Sequence, residues 1–254
     1  MNHKFPDQLK TELRYFALLL LAGLVGCSKS TQIAPSTPHE NLRSEAALAP
    51  DRPWGGLEIQ TVGTSLEDAD QIVILLHGFG AAESDLVPLA EYLDGKSRAF
   101  VFPAAPVAVD GGGLAWATTE NELVAARAML ESLVRFASKS YPNAEISLGG
   151  FSQGATVSSM LLTDATIPIH HLILYSPALA IESATIDPPP SIHVLLAHGK
   201  SDDVLPFADS ERLHKMLVDT GIQTNWLPFD GGHTITPELL DATKDQLSMN
   251  NGEQ

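Results

Sequence analysis

The sequence predicts an α/β architecture: a mostly parallel central sheet with helices on both faces. Three observations carry this reading. Apolar runs of strand length alternate along the chain with longer segments whose apolar residues fall on one helical stripe. The chain has 254 residues, 44% of them hydrophobic, which is enough for one α/β core and short of what several domains need. The pentapeptide Gly150-Phe151-Ser152-Gln153-Gly154 falls where a strand candidate ends and a helix candidate begins.

In chain order, residues 1–26 read as an address rather than a fold. Lys4, Lys10 and Arg14 precede an apolar run of 12 residues, Tyr15–Gly26. A helix needs about 20 residues to span a bilayer core, so this run reads as a secretory signal. Cys27, the one cysteine of the chain, follows at once. Leu24-Val25-Gly26-Cys27 resembles the bacterial lipobox, in which the cysteine is lipidated and becomes the mature N-terminus. An ordinary signal peptide with an incidental cysteine is the plainer alternative. Ser28 in the next position resembles lipoproteins sent to the outer membrane. The expected location is therefore the bacterial cell envelope, on the periplasm-facing outer membrane, held there by a lipid anchor at Cys27. Residues 27–52 are rich in Ser, Thr, Pro and Ala, with no apolar periodicity, and read as a flexible tether. The folded domain is expected over 53–254.

Within that domain the strand candidates are Gly56–Val62, Gln71–Leu76, Arg98–Phe102, Ala144–Leu148, His171–Tyr175, Ile192–Ala197 and Thr224–Phe229. The run QIVILL at Gln71–Leu76 is apolar throughout, as expected for a strand covered on both faces. Helices are expected at Asp85–Leu93, with Pro88 in the first turn, and at Thr119–Ser138, Gln153–Leu162, Pro206–Asp219 and Thr236–Ser248. Thr119–Ser138 is the clearest, because Leu123, Leu130, Leu133, Val134 and Ala137 share one stripe. In a parallel sheet of this kind, sites form along the edge where the strands end.

Charge and cysteine content exclude several classes. Fifteen Lys and Arg against 31 Asp and Glu give a net charge of −16. Removing residues 1–26 takes three positive and two negative charges and leaves −17. Broad electrostatic binding of nucleic acid needs a cationic face and is not expected. A single cysteine permits neither an internal disulfide nor a cysteine-based metal cluster.

The pentapeptide has the Gly-x-Ser-x-Gly pattern of a nucleophile elbow. Its serine must sit in a tight strand-to-helix turn, and its glycines remove side chains that would clash there. The helix start behind it offers free N–H groups to developing negative charge. A plain turn with an N-capping serine is the bland alternative. A serine hydroxyl is a weak nucleophile near neutral pH and needs a base. His233, after Gly231-Gly232 and a strand candidate, is the candidate base. His198 also follows a strand but precedes the acid candidates, so it is read as structural. His170, His171, His193 and His214 show no metal-ligand spacing and read as packed or surface residues. The acid lies in His198-Gly199-Lys200-Ser201-Asp202-Asp203-Val204-Leu205-Pro206, and spacing alone leaves Asp202 and Asp203 both open. His77-Gly78-Phe79-Gly80 ends the QIVILL run. The backbone N–H groups of Phe79 and Gln153 are assigned as oxyanion-hole donors, with His77 shaping the loop.

Taken together, these segments resemble the phospholipase/carboxylesterase family of α/β-hydrolases. The matching stretches are LLHGFGA with SDLVPLA downstream, FPAAP at Phe102–Pro106, LGGFSQGA at Leu148–Ala155, HGKSDDVLP, and GGHTI at Gly231–Ile235. They run in the family's order over nearly the whole folded unit. In the family's H-G-x-x-D-x-x-x-P pattern the acid is the fourth residue after the histidine, which selects Asp202. The resemblance implies an α/β-hydrolase fold, a serine carboxylesterase acting on small-molecule carboxylic esters or thioesters, and no cofactor. One departure stands out. Relatives carry a longer lid-like stretch with a Trp followed by an aromatic residue and an aspartate. Here Val107–Thr119 is short and glycine-rich, with Trp116-Ala117-Thr118. Trp116 is a candidate to line the substrate pocket, with a core position as the alternative. The shortened stretch favours short- to medium-chain acyl esters. Other readings on the same scaffold are an acyl thioesterase or lysophospholipase, and a non-catalytic envelope lipoprotein that binds without turnover.

Overall fold

The protein is described here from a computed structural model that covers residues 52–249 apart from residue 96. The expected signal at 1–26, Cys27 and all of the expected tether but Arg52 lie outside the described residues.

The strands are β1 (Ile59–Gly63), β2 (Gln71–Leu76), β3 (Arg98–Pro103), β4 (Val107–Ala108), β5 (Leu114–Ala115), β6 (Glu145–Phe151), β7 (His171–Tyr175), β8 (His193–Gly199) and β9 (Gln223–Phe229). The helices are α1 (Leu89–Leu93), α2 (Glu120–Ser140), α3 (Gln153–Ser159), α4 (Phe207–Asp219) and α5 (Pro237–Gln246). Seven strands form one sheet in the order β1-β3-β2-β6-β7-β8-β9. β1 runs antiparallel to β3 at one edge, and every other pairing in this sheet is parallel. β4 and β5 form a separate small hairpin.

Side-chain alternation along the strands builds two cores. Ile72, Ile74 and Leu76 of β2 face one way and belong to the core that also holds Leu123, Leu130 and Leu133 of α2, Ala155 and Val157 of α3, and Leu213 and Leu217 of α4. Val73 and Leu75 face the other way and join Phe100, Phe102, Ile173 and Leu195, covered by Leu93 of α1 and Leu239 and Leu240 of α5. Helices thus cover both faces, which is why β2 reads as a continuous apolar run. Each fully buried side chain of this size contributes about 1.5–3 kcal/mol of transfer free energy.

Several boundaries differ from the sequence reading, each for a local reason. The first strand starts at Ile59 rather than Gly56, because Pro53–Gly56 forms a 3-10 turn packed on α2. Trp54 in that turn meets Phe136 edge-on at 5.2 Å. The segment expected as one helix over Asp85–Leu93 divides into a 3-10 turn, Glu83–Leu86, and the short α1. Pro88 sits between them and has no N–H to continue a helical ladder. The helix expected to Leu162 ends at Ser159 and tightens into a 3-10 turn, Met160–Thr163. α2 begins where its cap dictates. Thr119 Oγ1 accepts from the Glu122 N–H at 3.3 Å, and the Glu122 carboxylate accepts from the Thr119 N–H at 3.0 Å. The β4–β5 hairpin inside the glycine-rich stretch leaves no pattern in the sequence, since its strands are only two residues long.

The strand order fixes where a site can form. β2 and β6 are neighbours, and the chain winds outward from them in both directions. The loops after these two strands therefore diverge, leaving a crevice at their carboxyl ends.

Candidate active site

Ser152 occupies that crevice. It follows β6 directly and precedes α3, with φ 56° and ψ −119°. A side chain at positive φ is strained, and several bonds hold this one in place. The Ser152 N–H donates to the Tyr175 carbonyl at 2.9 Å. The Ser152 carbonyl accepts from the Thr156 N–H at 2.9 Å and from the Thr156 hydroxyl at 3.0 Å. The flanking glycines are there for close approach. A Cβ on Gly150 would meet the Leu76 carbonyl oxygen at 2.6 Å, and one on Gly154 would lie 2.6 Å from that of His77. Helix α3 can press against the end of β2 only because both are absent.

The loop after β2 lies against the serine. A Cβ on Gly78 would sit 3.4 Å from that of Ser152. His77 is buried and shapes this loop. Its Nε2 accepts from the Ala105 N–H at 3.1 Å, so Nδ1 carries the proton and donates to the Gly78 carbonyl at 2.8 Å. Burial pushes its pKa down, which keeps the ring neutral for these two roles. Among the described residues, neither the Phe79 N–H nor the Gln153 N–H donates to another group. Gln153 opens α3, so its N–H has no partner within that helix.

Trp116 is fully buried, so the core position is the one the structure gives it. It does not line an open pocket. Its indole N–H donates to the His77 carbonyl at 2.9 Å, bracing the loop after β2 from beneath. Its backbone N–H donates to the Gln153 side-chain oxygen at 2.7 Å, and the Gln153 side-chain NH2 donates to the Ala117 carbonyl at 2.6 Å. The Gln153 side chain thus clasps the segment that carries Trp116. Nothing in the pentapeptide pattern signals that clasp, because the pattern leaves its fourth residue free.

Asp202 and His233 come together from loops after β8 and β9. His233 Nδ1 lies 2.6 Å from Asp202 Oδ2. Asp202 Oδ1 accepts from the N–H groups of Val204 and Leu205, each at 2.9 Å. The two loops are joined to one another. Lys200 N–H donates to the Phe229 carbonyl and Ser201 N–H to the Gly231 carbonyl, both at 2.9 Å. The Asp202 side chain is fully buried, whereas Asp203 is exposed. Burial alone pushes the Asp202 carboxyl up. The Leu205 and Val204 amides and the His233 ring outweigh that and hold it below the usual carboxylate range. The His233 ring packs on Phe151, with centroids 4.6 Å apart, one residue before Ser152.

Its place in the sequence makes His198 structural, and the structure buries it against the acid. Its Nε2 lies 3.1 Å from the same Asp202 oxygen that faces His233.

A mostly parallel sheet with helices on both faces, a strained serine between strand and helix, and an adjacent His–Asp pair define an α/β hydrolase. Residues 57–251 match the family model described as Phospholipase/Carboxylesterase. The chain belongs to that family, and it is a hydrolase. MhqD of Bacillus subtilis (strain 168) is 24% identical over 186 residues, covering 70% of this chain and 92% of MhqD. The crystal structure of esterase PE8 is 28% identical with a TM-score of 0.67, covering 75% of this chain and 97% of PE8. The Bacillus cereus carboxylesterase structure shares the fold at 23% identity and a TM-score of 0.63, covering 75% of this chain and 92% of its own.

Proposed function

We propose that this protein is a serine carboxylesterase that hydrolyses short- to medium-chain carboxylic esters through an acyl-enzyme. The observation that carries the reading is the 2.6 Å bond between His233 and Asp202, at the same sheet edge as the strained Ser152. In this mechanism Ser152 Oγ attacks the ester carbonyl carbon, and His233 Nε2 takes the hydroxyl proton. Asp202 fixes the His233 tautomer and stabilises the imidazolium. The N–H groups of Phe79 and Gln153 receive the developing oxyanion, where one such donor is worth about 3–4 kcal/mol. The tetrahedral intermediate expels the alcohol, which leaves with the proton held by His233. Water then attacks the acyl-enzyme with His233 again as base, releasing the acid and restoring Ser152.

The acyl-chain preference is supported by the small β4–β5 hairpin, whose turn holds Gly111 and Gly112 with no neighbouring atoms near their Cβ positions. It offers no helical lid to enclose a long chain. The envelope location and lipid anchor at Cys27 are supported by the sequence pattern alone.

Ser152→Ala is expected to abolish p-nitrophenyl acetate turnover and labelling by a fluorophosphonate probe. Wild-type turnover in that variant would overturn the assignment. A panel of acyl-chain lengths, with thioesters included, should show kcat/KM falling from short to long esters. Intact mass of membrane-extracted protein should give a lipid mass on Cys27, and an unmodified chain starting elsewhere would remove the anchor.

A further inference from the structure

The two proposed oxyanion donors sit on different elements, and one short segment is bonded to both. The Phe79 N–H belongs to the loop after β2, and the Gln153 N–H to the start of α3. The segment is β5, Leu114–Ala115, with Trp116 and Ala117 after it. On one side it pairs with the loop. The Leu114 carbonyl accepts from the Gly80 N–H at 2.8 Å, and the Leu114 N–H donates to the Ala81 carbonyl at 2.9 Å. The Trp116 indole N–H reaches the His77 carbonyl. Phe79 is thus tied down on both sides along the chain. Gly113 permits this approach, because a Cβ there would overlap the Gly80 carbonyl. On the other side lies the Gln153 side chain. Its amide accepts from the Trp116 N–H at 2.7 Å and donates to the Ala117 carbonyl at 2.6 Å.

The aim of each donor is fixed within its own element. In a trans peptide the N–H points opposite to the C=O of the same unit. The Phe79 N–H shares its unit with the Gly78 carbonyl, which accepts from His77 Nδ1 at 2.8 Å. The Gln153 N–H shares its unit with the Ser152 carbonyl, which Thr156 holds through its N–H and hydroxyl. Neither set of bonds crosses from the loop to the helix. We infer that Leu114–Ala117 is a strut that sets the spacing of the two oxyanion donors, with the Trp116 indole and the Gln153 side chain as positioning groups. The inference rests on the acyl-enzyme reading above and extends it to side chains buried away from substrate. An oxyanion gains from both donors only where each N–H lies about 3 Å from it. A slip of the loop against α3 therefore weakens binding of the transition state and leaves binding of the substrate unchanged. The glycine-rich stretch thereby supports the site instead of covering it.

The test compares Gln153→Met, Gln153→Asn and Trp116→Phe in the full chain, each normalised to active serine by fluorophosphonate titration run to completion. Gln153→Met keeps the side-chain length and loses both bonds to the strut. Trp116→Phe keeps an aromatic ring and loses the indole N–H. Their kcat should fall by about a hundredfold and about tenfold, with KM within about twofold. A trifluoromethyl ketone carries its negative charge on the same oxygen once Ser152 has added to it. Its Ki should therefore rise by the factor by which kcat/KM falls. A residue that only fills the core would lower the amount of active protein and leave both values per active serine unmoved. Gln153→Asn keeps the amide but falls one methylene short, and its loss should lie between wild type and Gln153→Met. Trp54→Phe, in the turn packed on α2, is the control and should change neither value. The deciding variant is the first of Gln153→Met, Gln153→Asn and Trp116→Phe that folds. If its kcat or its ketone Ki stays within about twofold of wild type, the inference is overturned. Failure of the wild-type enzyme to be labelled at Ser152 would instead overturn the acyl-enzyme reading.

Discussion

At the scale of single residues, adjacent aspartates have opposite environments. Asp202 is enclosed and ionised, with the N–H groups of Val204, Leu205 and His233 on its two oxygens, while Asp203 points to solvent. Asp202→Asn would put an NH2 or a single carbonyl where the N–H groups of Val204, Leu205 and His233 converge, so His233 can no longer hold its Nδ1 proton toward this residue. The expected loss in kcat is about 10⁴-fold, as when an amide replaces the acid of another serine triad. Asp203→Asn should leave kcat within about twofold, since it removes only a solvated charge. Steady-state kinetics on the pair checks this, and equal losses would show that the wrong aspartate is assigned.

Among elements, the decisive contact is between the end of β2 and helix α3. They meet through bare backbone at Gly150 and Gly154. A methyl group at Gly154 would drive into the carbonyl oxygens of Leu76 and His77. Both belong to the strand and loop that carry the proposed oxyanion donor. Gly154→Ala is therefore expected to destabilise the fold by about 2 kcal/mol or more and to lower kcat in whatever protein remains folded. Gly112→Ala makes the control. Gly112 also has positive φ, at 95°, but nothing lies near its Cβ position. Its cost should be near 1 kcal/mol, from backbone strain alone, with kcat unchanged. Urea unfolding with parallel kinetics separates the two, and similar costs would show that close approach is not what demands glycine at 154.

Over the whole molecule, acid should weaken the fold through a buried histidine at the opposite end of the sheet. His171 begins β7, is fully buried, and neither ring nitrogen has a partner among the described residues. Burial drives its pKa from 6.5 down to about 4, and the nearby His193, His170 and Arg98 push the same way. Between these two values the unfolded chain binds the proton and the folded one does not. Stability therefore falls as pH drops from about 6.5 to about 4, by on the order of 3 kcal/mol. Asp202 adds a separate loss at lower pH. Its native pKa lies below the ordinary value of 3.8, so its contribution is present above 3.8 and disappears as pH falls through the native value. His171→Leu should flatten the dependence of the urea midpoint on pH between 6.5 and 4 and leave the lower loss in place. An unchanged slope in that variant would show that another group titrates there.

The sequence by itself determined the order of the elements, the buried central strands and the short list of chemistry-bearing residues. These follow from local patterns: apolar period, glycine placement, and a serine between strand and helix. It could choose Asp202 over Asp203 only through resemblance, because adjacent residues have the same spacing to everything else. Only the tertiary structure decided that choice physically, by turning one carboxylate inward onto two N–H groups and the other to water. The same holds for Trp116, a pocket candidate by sequence and a buried brace in the fold, and for His198, whose ring meets Asp202 Oδ2 beside His233. Such relations depend on distances between side chains carried by different strands, loops and helices. Packing sets those distances, and no spacing along the chain encodes them.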